Sequence, residues 1–166
     1  MTSVRGKGTT FTLYFPSLRP EERQDEPLTP TPLPIGRAKV LLVDDSPTLL
    51  RTGRRALEHL GYLVETMESG KQAYERFERA ALTGQSPCDL VILDMNLLEA
   101  RDGLDVYEMI RRLFPAQRAL LVSGQAPSDR VHAALERGLG WLPKPYTMEL
   151  LAQTVAKALE ATPERK

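Results

Sequence analysis

Residues 90–94 read Leu90-Val91-Ile92-Leu93-Asp94, a short apolar run that ends in a carboxylate. Three further apolar runs also lead directly into polar or charged residues. They are Val40-Leu41-Leu42-Val43 before Asp44-Asp45, Ala119-Leu120-Leu121-Val122 before Ser123, and Trp141-Leu142-Pro143 before Lys144-Pro145. Such runs, apolar throughout rather than alternating, are typical of strands that helices cover on both faces of a parallel sheet.

Helical patterns separate these runs and are placed by their caps. Ser46 with Pro47 predicts one helix start and Gly61 its end, and residues 62–67 read as a strand. Ser69 with Gln72 has the capping-box pattern. Further helices are predicted after Gly103, from about Ser128 to Gly138, and from a Thr147 cap. Five strands alternating with five helices predict an α/β fold, a doubly wound parallel sheet in a three-layer sandwich.

Composition excludes several classes of protein. The 166 residues carry 22 Lys+Arg and 22 Asp+Glu, so net charge gives no case for binding nucleic acid or a membrane surface. Cys88 is the only cysteine, which rules out an internal disulfide and favours a reducing compartment. The first residues lack a signal peptide's apolar region, and no apolar run approaches the roughly 20 residues that span a bilayer. We therefore expect a soluble, cytoplasmic protein.

Four regions differ in character along the chain. Residues 1–16 contain a glycine-rich turn and a β-like run over residues 9–15, and residues 17–37 predict a linker. Residues 38–162 hold the strand–helix alternation, and residues 163–166 form a tail. The linker has five prolines, which favour an extended, semi-rigid chain: Pro20, Pro27, Pro30, Pro32 and Pro34.

The polar residues after the strands predict a single site, because ligands of such sheets bind outside the carboxyl ends of the strands. Asp44, Asp45 and Asp94 would repel one another unless a cation neutralised them, and a hard divalent ion with oxygen ligands does so. A lysine and a hydroxyl beside the acids, Lys144 and Ser123, suit a phosphoryl group. The competing interpretation is that these residues are helix N-caps. Five of them at four strand ends favour a site for metal-assisted phosphoryl transfer onto an aspartate.

The same residues carry a resemblance to a known family. Residues 38–160 resemble a response-regulator receiver domain, the phosphoacceptor module of two-component signalling. The matching motifs are Val43-Asp44-Asp45, Leu93-Asp94-Met95-Asn96, Val122-Ser123-Gly124 and Lys144-Pro145-Tyr146-Thr147. The resemblance implies the flavodoxin-like strand order 2-1-3-4-5.

The resemblance also implies a role for each site residue. Asp94 would be the phosphoryl acceptor, and Asp44, Asp45 and Asp94 would hold Mg²⁺ or Mn²⁺ together with the backbone carbonyl of Asn96. Ser123 and Lys144 would contact the phosphoryl group, and the Lys144–Pro145 peptide would be cis. With Ser123, Trp141 would be a switch residue; the alternative is an aromatic residue that only packs on the fifth strand.

Two positions depart from the family pattern. Leu98 stands where a proline is usual, and Gly103 comes one residue later than usual, so the geometry of the loop after Asp94 is open. Pro143 lies within the fifth strand, where it cannot donate a hydrogen bond to a neighbour. This is tolerable if that strand is at the edge of the sheet, as the implied order requires.

The amino-terminal segment resembles the end of a histidine-kinase ATP-binding domain over residues 6–16. Together with the linker and receiver, it implies the carboxy-terminal part of a hybrid sensor kinase, a piece that is not a kinase by itself. Expected partners are a phosphohistidine in the kinase core or in a phosphotransfer protein. We also expect a homodimer through the fourth helix, fifth strand and fifth helix. Two alternatives are a phosphorylation-independent interaction module of receiver fold and an aspartyl-phosphate phosphatase.

Overall fold

A computed structural model describes residues 2–4, 6, 8–14, 36–97 and 101–161. These residues fall into two units, one within residues 1–32 and one within residues 33–166. Most of the predicted linker lies outside the described residues, as do Leu98 and the predicted 163–166 tail.

The amino-terminal unit contains an antiparallel hairpin of two short strands, β1 (Thr2–Val4) and β2 (Gly8–Thr10). Gly6 and Gly8 have positive φ values of 78° and 104°, which glycine adopts without a steric cost. The predicted strand-like run over residues 9–15 was wrong in extent, because β2 ends at Thr10 and the described residues 11–14 are not in a strand. β1 was not predicted, since a three-residue strand has too few residues to show a period.

The second unit alternates strands and helices as the sequence predicts. Its strands are β3 (Lys39–Val43), β4 (Leu63–Met67), β5 (Leu90–Asp94), β6 (Arg118–Ser123) and β7 (Gly140–Pro143). Its helices are α1 (Pro47–His59), α2 (Gly70–Ala81), α3 (Gly103–Leu113), α4 (Asp129–Leu135) and α5 (Met148–Glu160). The strands form one parallel sheet in the order β4-β3-β5-β6-β7, so the expected order 2-1-3-4-5, counted within this sheet, is confirmed.

Two hydrophobic clusters cover the two faces of the sheet. On one face α1 and α5 pack against the strands, with Leu57 and Val155 fully buried. On the other face α2, α3 and α4 supply buried residues such as Phe77, Ile110 and Val131. Successive strand residues point to opposite faces, so both clusters draw on the same apolar runs. The three-layer architecture is therefore confirmed.

The helix caps explain where the helices begin and end. The hydroxyls of Ser46, Ser69 and Thr147 each accept a hydrogen bond from a backbone N–H in the first turn of the following helix. The side-chain oxygen of Gln72 accepts from the N–H of Glu68, so the reciprocal half of the predicted capping box is displaced by one residue.

The fourth helix is shorter than predicted and ends at Leu135. Gly138 adopts a φ of 91°, and the N–H of Leu139 donates to the carbonyl of Ala134 at 3.2 Å. The glycine therefore closes a terminal turn after the helix, and its position marks the end of that turn.

The fifth strand, β7, lies at the edge of the sheet and pairs only with β6 among the described strands. Pro143 is the last residue of β7. Its missing N–H therefore does not break the hydrogen bonding between two inner strands of the sheet. Ladder bonding resumes at Lys144, whose N–H donates to the Ser123 carbonyl at 2.7 Å. Separately, none of the described helices is both long and apolar enough to cross a bilayer.

Candidate functional site

The polar residues predicted to form a site lie together at the carboxyl edge of the sheet. Asp94 is the last residue of β5 and Ser123 the last of β6, while Asp44 and Lys144 directly follow β3 and β7. Because β3, β5, β6 and β7 are adjacent and parallel, their ends meet at one edge. The fold therefore brings together residues that are up to 100 positions apart in the chain.

Three carboxylates form the centre of this site. Oxygens of Asp44, Asp45 and Asp94 all lie within 4.8 Å of one another. Asp44 and Asp94 are only 6% and 7% exposed, whereas Asp45 is half-buried. Carboxylates this close, in a place that water reaches poorly, repel one another unless positive charge lies among them.

Lys144 supplies one such charge. Its Nζ lies 3.0 Å from Asp94 Oδ1 and 3.2 Å from Asp44 Oδ2, and so bridges the ends of two strands. Partial burial by itself lowers the pKa of Lys144, but Asp94 and Asp44 outweigh it and the net pKa is raised. A raised folded-state pKa means that the stabilisation from this contact is complete at neutral pH and is lost only as pH rises through that pKa.

The remaining carboxylate oxygens differ in their contacts. Asp44 Oδ1 accepts a hydrogen bond from the N–H of Ser46 at 2.9 Å, so Asp44 both orders the start of α1 and faces the site. Asp94 Oδ2 and both oxygens of Asp45 accept no hydrogen bond from any residue in the described ranges. These oxygens are therefore the ones available to an electrophile or a cation.

The residues around the acids have distinct surroundings. Ser123 is 2% exposed, and its Oγ accepts a hydrogen bond from the N–H of Gln125 at 3.1 Å. Asn96 is exposed in the loop after β5, and Trp141 is half-buried against the cluster that contains Val131 of α4. The Lys144–Pro145 peptide is cis.

Tyr146 is a site neighbour that sequence reasoning did not single out. Burial raises the pKa of its hydroxyl; Lys144 lowers that pKa, while Asp44 and Asp94 raise it further. Tyr146 as a whole is 37% exposed. It was part of the Lys-Pro-Tyr-Thr motif, but nothing in its spacing indicated that its hydroxyl is influenced by the charges of Asp44 and Asp94.

A divalent cation fits this set of donors. The three carboxylates and one lysine leave a formal charge of −2, which one Mg²⁺ would balance. Octahedral oxygen ligands at about 2.1 Å from Mg²⁺ lie about 3 to 4 Å from each other, so the observed spacing needs only a small closure. Hard carboxylate oxygens are also the ligands that Mg²⁺ and Mn²⁺ prefer.

Gly103, the first residue of α3, lies against the backbone at the end of β5. Its N–H donates to the Met95 carbonyl at 3.1 Å. A Cβ built at Gly103 would lie 3.0 Å from the carbonyl carbon of Asp94 and nearer still to its oxygen. Only glycine therefore allows the start of α3 to approach the end of β5 this closely.

Replacing Gly103 with alanine is expected to lower the free energy of unfolding by about 1–3 kcal/mol, because the added methyl group must push the backbone of Asp94 away. Gly124→Ala is the matched control, since a Cβ there meets nothing within 4 Å and its φ is not positive. Urea unfolding of both variants measures the difference. Equal stabilities would show that the α3 start can move away from β5 at little cost.

Sequence reasoning also missed a charged cluster at the start of α3. Asp102 is the N-cap of α3, and Asp105 completes a capping box with it. Arg130 of α4 contacts both acids. The spacing Asp-x-x-Asp before an apolar run was a usable signal for the cap. No local pattern indicates the contact with Arg130, because its partners are 28 and 25 residues away.

Comparison with known proteins assigns the family. The chain matches the response regulator receiver domain over residues 40–156, which includes every site residue named above. The chain belongs to this family. Receiver domains have a phosphoacceptor role in two-component signalling, so the chain has that role as well.

Individual relatives of this receiver domain include sensor proteins. The chain is 34% identical over 164 residues to the sensor kinase CckA of Brucella abortus, covering 93% of this chain and 17% of CckA. It is 32% identical over 117 residues to the aerobic respiration control sensor protein ArcB of Escherichia coli, covering 70% of this chain and 14% of ArcB. It thus spans a small part of either relative.

A solved receiver structure has the same fold. The chemotaxis protein CheY4 of Vibrio cholerae superposes with a TM-score of 0.63 at 25% identity, over 74% of this chain and 99% of CheY4. The similarity to CheY4 therefore covers a complete receiver-sized domain.

Proposed function

We propose that Asp94 accepts a phosphoryl group from a phosphohistidine. The observation that supports this most is the position of Asp94, whose Oδ1 is held by Lys144 while its Oδ2 accepts no hydrogen bond from a described residue. Oδ2 would attack phosphorus, the P–N bond to the histidine would break, and its electron pair would return to the imidazole. The product is an acyl phosphate on Asp94.

The other site residues have separate roles in this proposal. Asp44, Asp45 and Asp94, with the Asn96 carbonyl, would hold Mg²⁺ or Mn²⁺, which when bound supplies positive charge to the phosphoryl oxygens. Lys144 contacts two of the carboxylates and is placed to hold one phosphoryl oxygen. The Ser123 hydroxyl, whose Oγ accepts the N–H of Gln125, would move toward the site and donate its own hydrogen to another oxygen. Trp141 would follow this movement as a switch residue.

The test of this function is phosphorylation by a small donor. With acetyl phosphate and Mg²⁺, the chain is expected to gain one phosphoryl group, measured by intact-protein mass spectrometry. Chelating the divalent ion with EDTA should slow the reaction by at least about 100-fold, since three acids without a cation repel an anionic donor. Equal rates with and without EDTA would remove the metal from the proposal but leave Asp94 as acceptor.

Exposed apolar side chains near the site suit docking of the donor protein. Leu49 in the first turn of α1 is 46% exposed, and Leu150 in the first turn of α5 is 37% exposed. With Tyr146 they lie on the elements that leave the carboxyl edge of the sheet. Apolar residues in such a position suit contact with a helical partner that presents its phosphohistidine to Asp94.

Leu49→Ala is expected to slow phosphotransfer from a phosphohistidine protein by about fivefold, because it removes a contact with the partner. The rate with acetyl phosphate should not change, since the apolar Leu49 side chain offers no group that binds a cation or a phosphoryl oxygen. Leu82→Ala is the matched control, as Leu82 is 89% exposed at the end of α2 on the opposite face. Radiolabelled transfer from any donor active on the wild-type chain measures this. Equal slowing with both donors would contradict a docking role.

We also propose that the chain comes from a hybrid sensor kinase. The alignment with CckA covers 93% of this chain, so it extends beyond the receiver into the preceding segment. In this proposal residues 1–16 are the end of an ATP-binding domain, 17–37 a linker, 38–162 the receiver and 163–166 a tail. A cytoplasmic location and a homodimer through α4, β7 and α5 are part of the same proposal, and sedimentation tests the dimer.

A further inference from the structure

Arg130 connects two helices that begin beside the acidic site. It is the second residue of α4, and its guanidinium donates to both acids at the start of α3. Its Nη2 lies 2.7 Å from Asp105 Oδ1, and its Nη1 lies 3.3 Å from Asp102 Oδ2. A planar guanidinium with several donors suits such a double contact better than an ammonium group does.

The two acids are themselves tied to the backbone of the turn. Asp102 Oδ1 accepts from the N–H of Asp105 at 2.8 Å, and Asp105 Oδ2 accepts from the N–H of Asp102 at 3.2 Å. Arg130 therefore contacts two carboxylates whose positions define the first turn of α3. Partial burial by itself lowers the pKa of Arg130, but Asp102 and Asp105 outweigh it and raise that pKa.

Gly103 lies between Asp102 and Asp105 in the chain, and it is the residue of this turn that contacts the backbone of Asp94. Its backbone is in contact with the Asp94 carbonyl, and its N–H donates to the Met95 carbonyl at 3.1 Å. A change in the first turn of α3 would therefore move the backbone on which the Asp94 carboxylate is mounted.

The helix that carries Arg130 is connected to the other side of the site. The α4 N-cap, Ser128, closes the loop that starts at Ser123, in which Ser123 Oγ accepts from the N–H of Gln125. Arg130 therefore joins the segment after Asp94 to the segment after Ser123. No other ion pair among the described residues links these two segments.

We propose that Arg130 is a positioning residue of the acidic site, which holds the Gly103 turn against Asp94 through Asp102 and Asp105. Loss of Arg130 loosens this turn first and weakens cation binding by the three acids as a consequence. The second effect rests on the function proposed above, whereas the first is a property of the metal-free protein. The contact would also transmit a change at Asp94 to α4.

The competing interpretation is an ordinary surface ion pair, which contributes little. Arg76 provides a matched comparison, since its Nε lies 3.3 Å from Glu65 Oε1 and joins α2 to β4. The side chains of Arg130 and Arg76 are 51% and 34% exposed, so both pairs face solvent. Arg76→Gln removes the same charge as Arg130→Gln. The ion pair that it breaks joins α2 to β4 and does not include a residue of the Gly103 turn.

The first experiment follows amide hydrogen exchange at Gly103 in the metal-free chain of residues 1–166. Arg130→Gln is expected to speed exchange at Gly103 by about threefold to fivefold, because its hydrogen bond to Met95 opens more often. Arg130→Lys should lie between Arg130→Gln and wild type, and Arg76→Gln should match wild type. Unchanged exchange at Gly103 in Arg130→Gln would overturn the proposal. An equal increase in the exchange rates of all slowly exchanging amides would also overturn the proposal, because it would indicate global destabilisation and not a local change at the Gly103 turn.

The second experiment measures Mg²⁺ affinity by calorimetric titration. Arg130→Gln should weaken binding by about fivefold, and Arg76→Gln by less than about twofold. Asp105→Asn keeps an oxygen that can accept the N–H of Asp102. The double variant with Asp105→Asn and Arg130→Gln should therefore bind Mg²⁺ as tightly as Arg130→Gln alone. Independent, additive effects of the two substitutions would overturn the ion pair as the cause. If the wild type bound no Mg²⁺, the metal in the proposed function would fail, while the exchange at Gly103 would still decide the role of Arg130.

Discussion

Asp94→Asn is expected to abolish phosphorylation by acetyl phosphate in the presence of Mg²⁺, while the wild-type chain gains one phosphoryl group. An amide oxygen is far too poor a nucleophile to attack phosphorus, whereas a carboxylate forms an acyl phosphate. The substitution preserves the shape of the side chain, and its oxygen can still accept from Lys144, which lies 3.0 Å from Asp94 Oδ1. The fold should therefore be retained, and loss of the adduct reports on the chemistry.

Asp89→Asn is the matched control for this substitution. Asp89 immediately precedes the same strand at its other end, where its carboxylate accepts the N–H of Lys39 at 2.7 Å. An asparagine there keeps an acceptor, so the variant should be phosphorylated at the wild-type rate. An adduct that persists in Asp94→Asn would move the acceptor to another residue, with Asp44 and Asp45 the nearest candidates.

The same experiment separates the three functions considered for this fold. A wild-type chain that never gains a phosphoryl group would favour the phosphorylation-independent interaction module. Repeated turnover of a small phosphomonoester through Asp94 would favour a phosphatase. One phosphoryl group per chain, lost with Asp94→Asn, supports the receiver chemistry proposed here.

The sequence predicted the sheet and the acids well for a physical reason. Strands buried on both faces appear as uninterrupted apolar runs, so the first polar residue after each run marks the edge of the sheet. Asp44, Asp94, Ser123 and Lys144 are such residues, and all four lie at that edge. Fold class, strand order and the edge position of β7 followed from the same pattern and the family resemblance, and all are confirmed.

The sequence could not predict features that depend on contacts between distant segments. Arg130 has the appearance of an ordinary exposed helical residue, and only the packing of α4 beside α3 reveals its two acidic partners. The hairpin β1–β2 was missed because a three-residue strand is defined by its partner rather than by its own pattern. In α4 the terminal turn closed by Gly138 was mistaken for helix, since both conformations leave similar patterns.

Lys144→Ala is expected to change two properties of the site in opposite directions. Mg²⁺ should bind about fivefold to tenfold more tightly, because the Lys144 ammonium now lies among the carboxylates and competes with a cation for them. Phosphorylation of Asp94 should nevertheless slow by about 100-fold or more, since a positive group aimed at the phosphoryl oxygens is lost. The contacts that support this are the distances of 3.2 Å and 3.0 Å from Nζ to Asp44 and Asp94.

The stability of the metal-free protein is an independent test of the contact between Lys144 and the two acids. Asp44 and Asp94 are nearly buried, so without the ammonium group they retain charges that water screens poorly. The metal-free Lys144→Ala variant should therefore unfold at lower urea concentration than the wild type, and saturating Mg²⁺ should restore much of the difference by binding only the folded state. Lys71→Ala is the control, because Lys71 is 79% exposed on α2 and its one ion pair within the described ranges is with Glu75, at 3.8 Å.

Calorimetric titration, phosphorylation time courses and urea unfolding of the two lysine variants together test this prediction. Tighter Mg²⁺ binding with slower phosphorylation would show that Lys144 acts on the phosphoryl group and not as a metal-site ligand. Weaker Mg²⁺ binding with unchanged metal-free stability would contradict the competition between lysine and cation. Because Lys144→Ala and Lys71→Ala remove the same charge, a shared effect would arise from net charge, whereas a difference between them isolates the contact with Asp44 and Asp94.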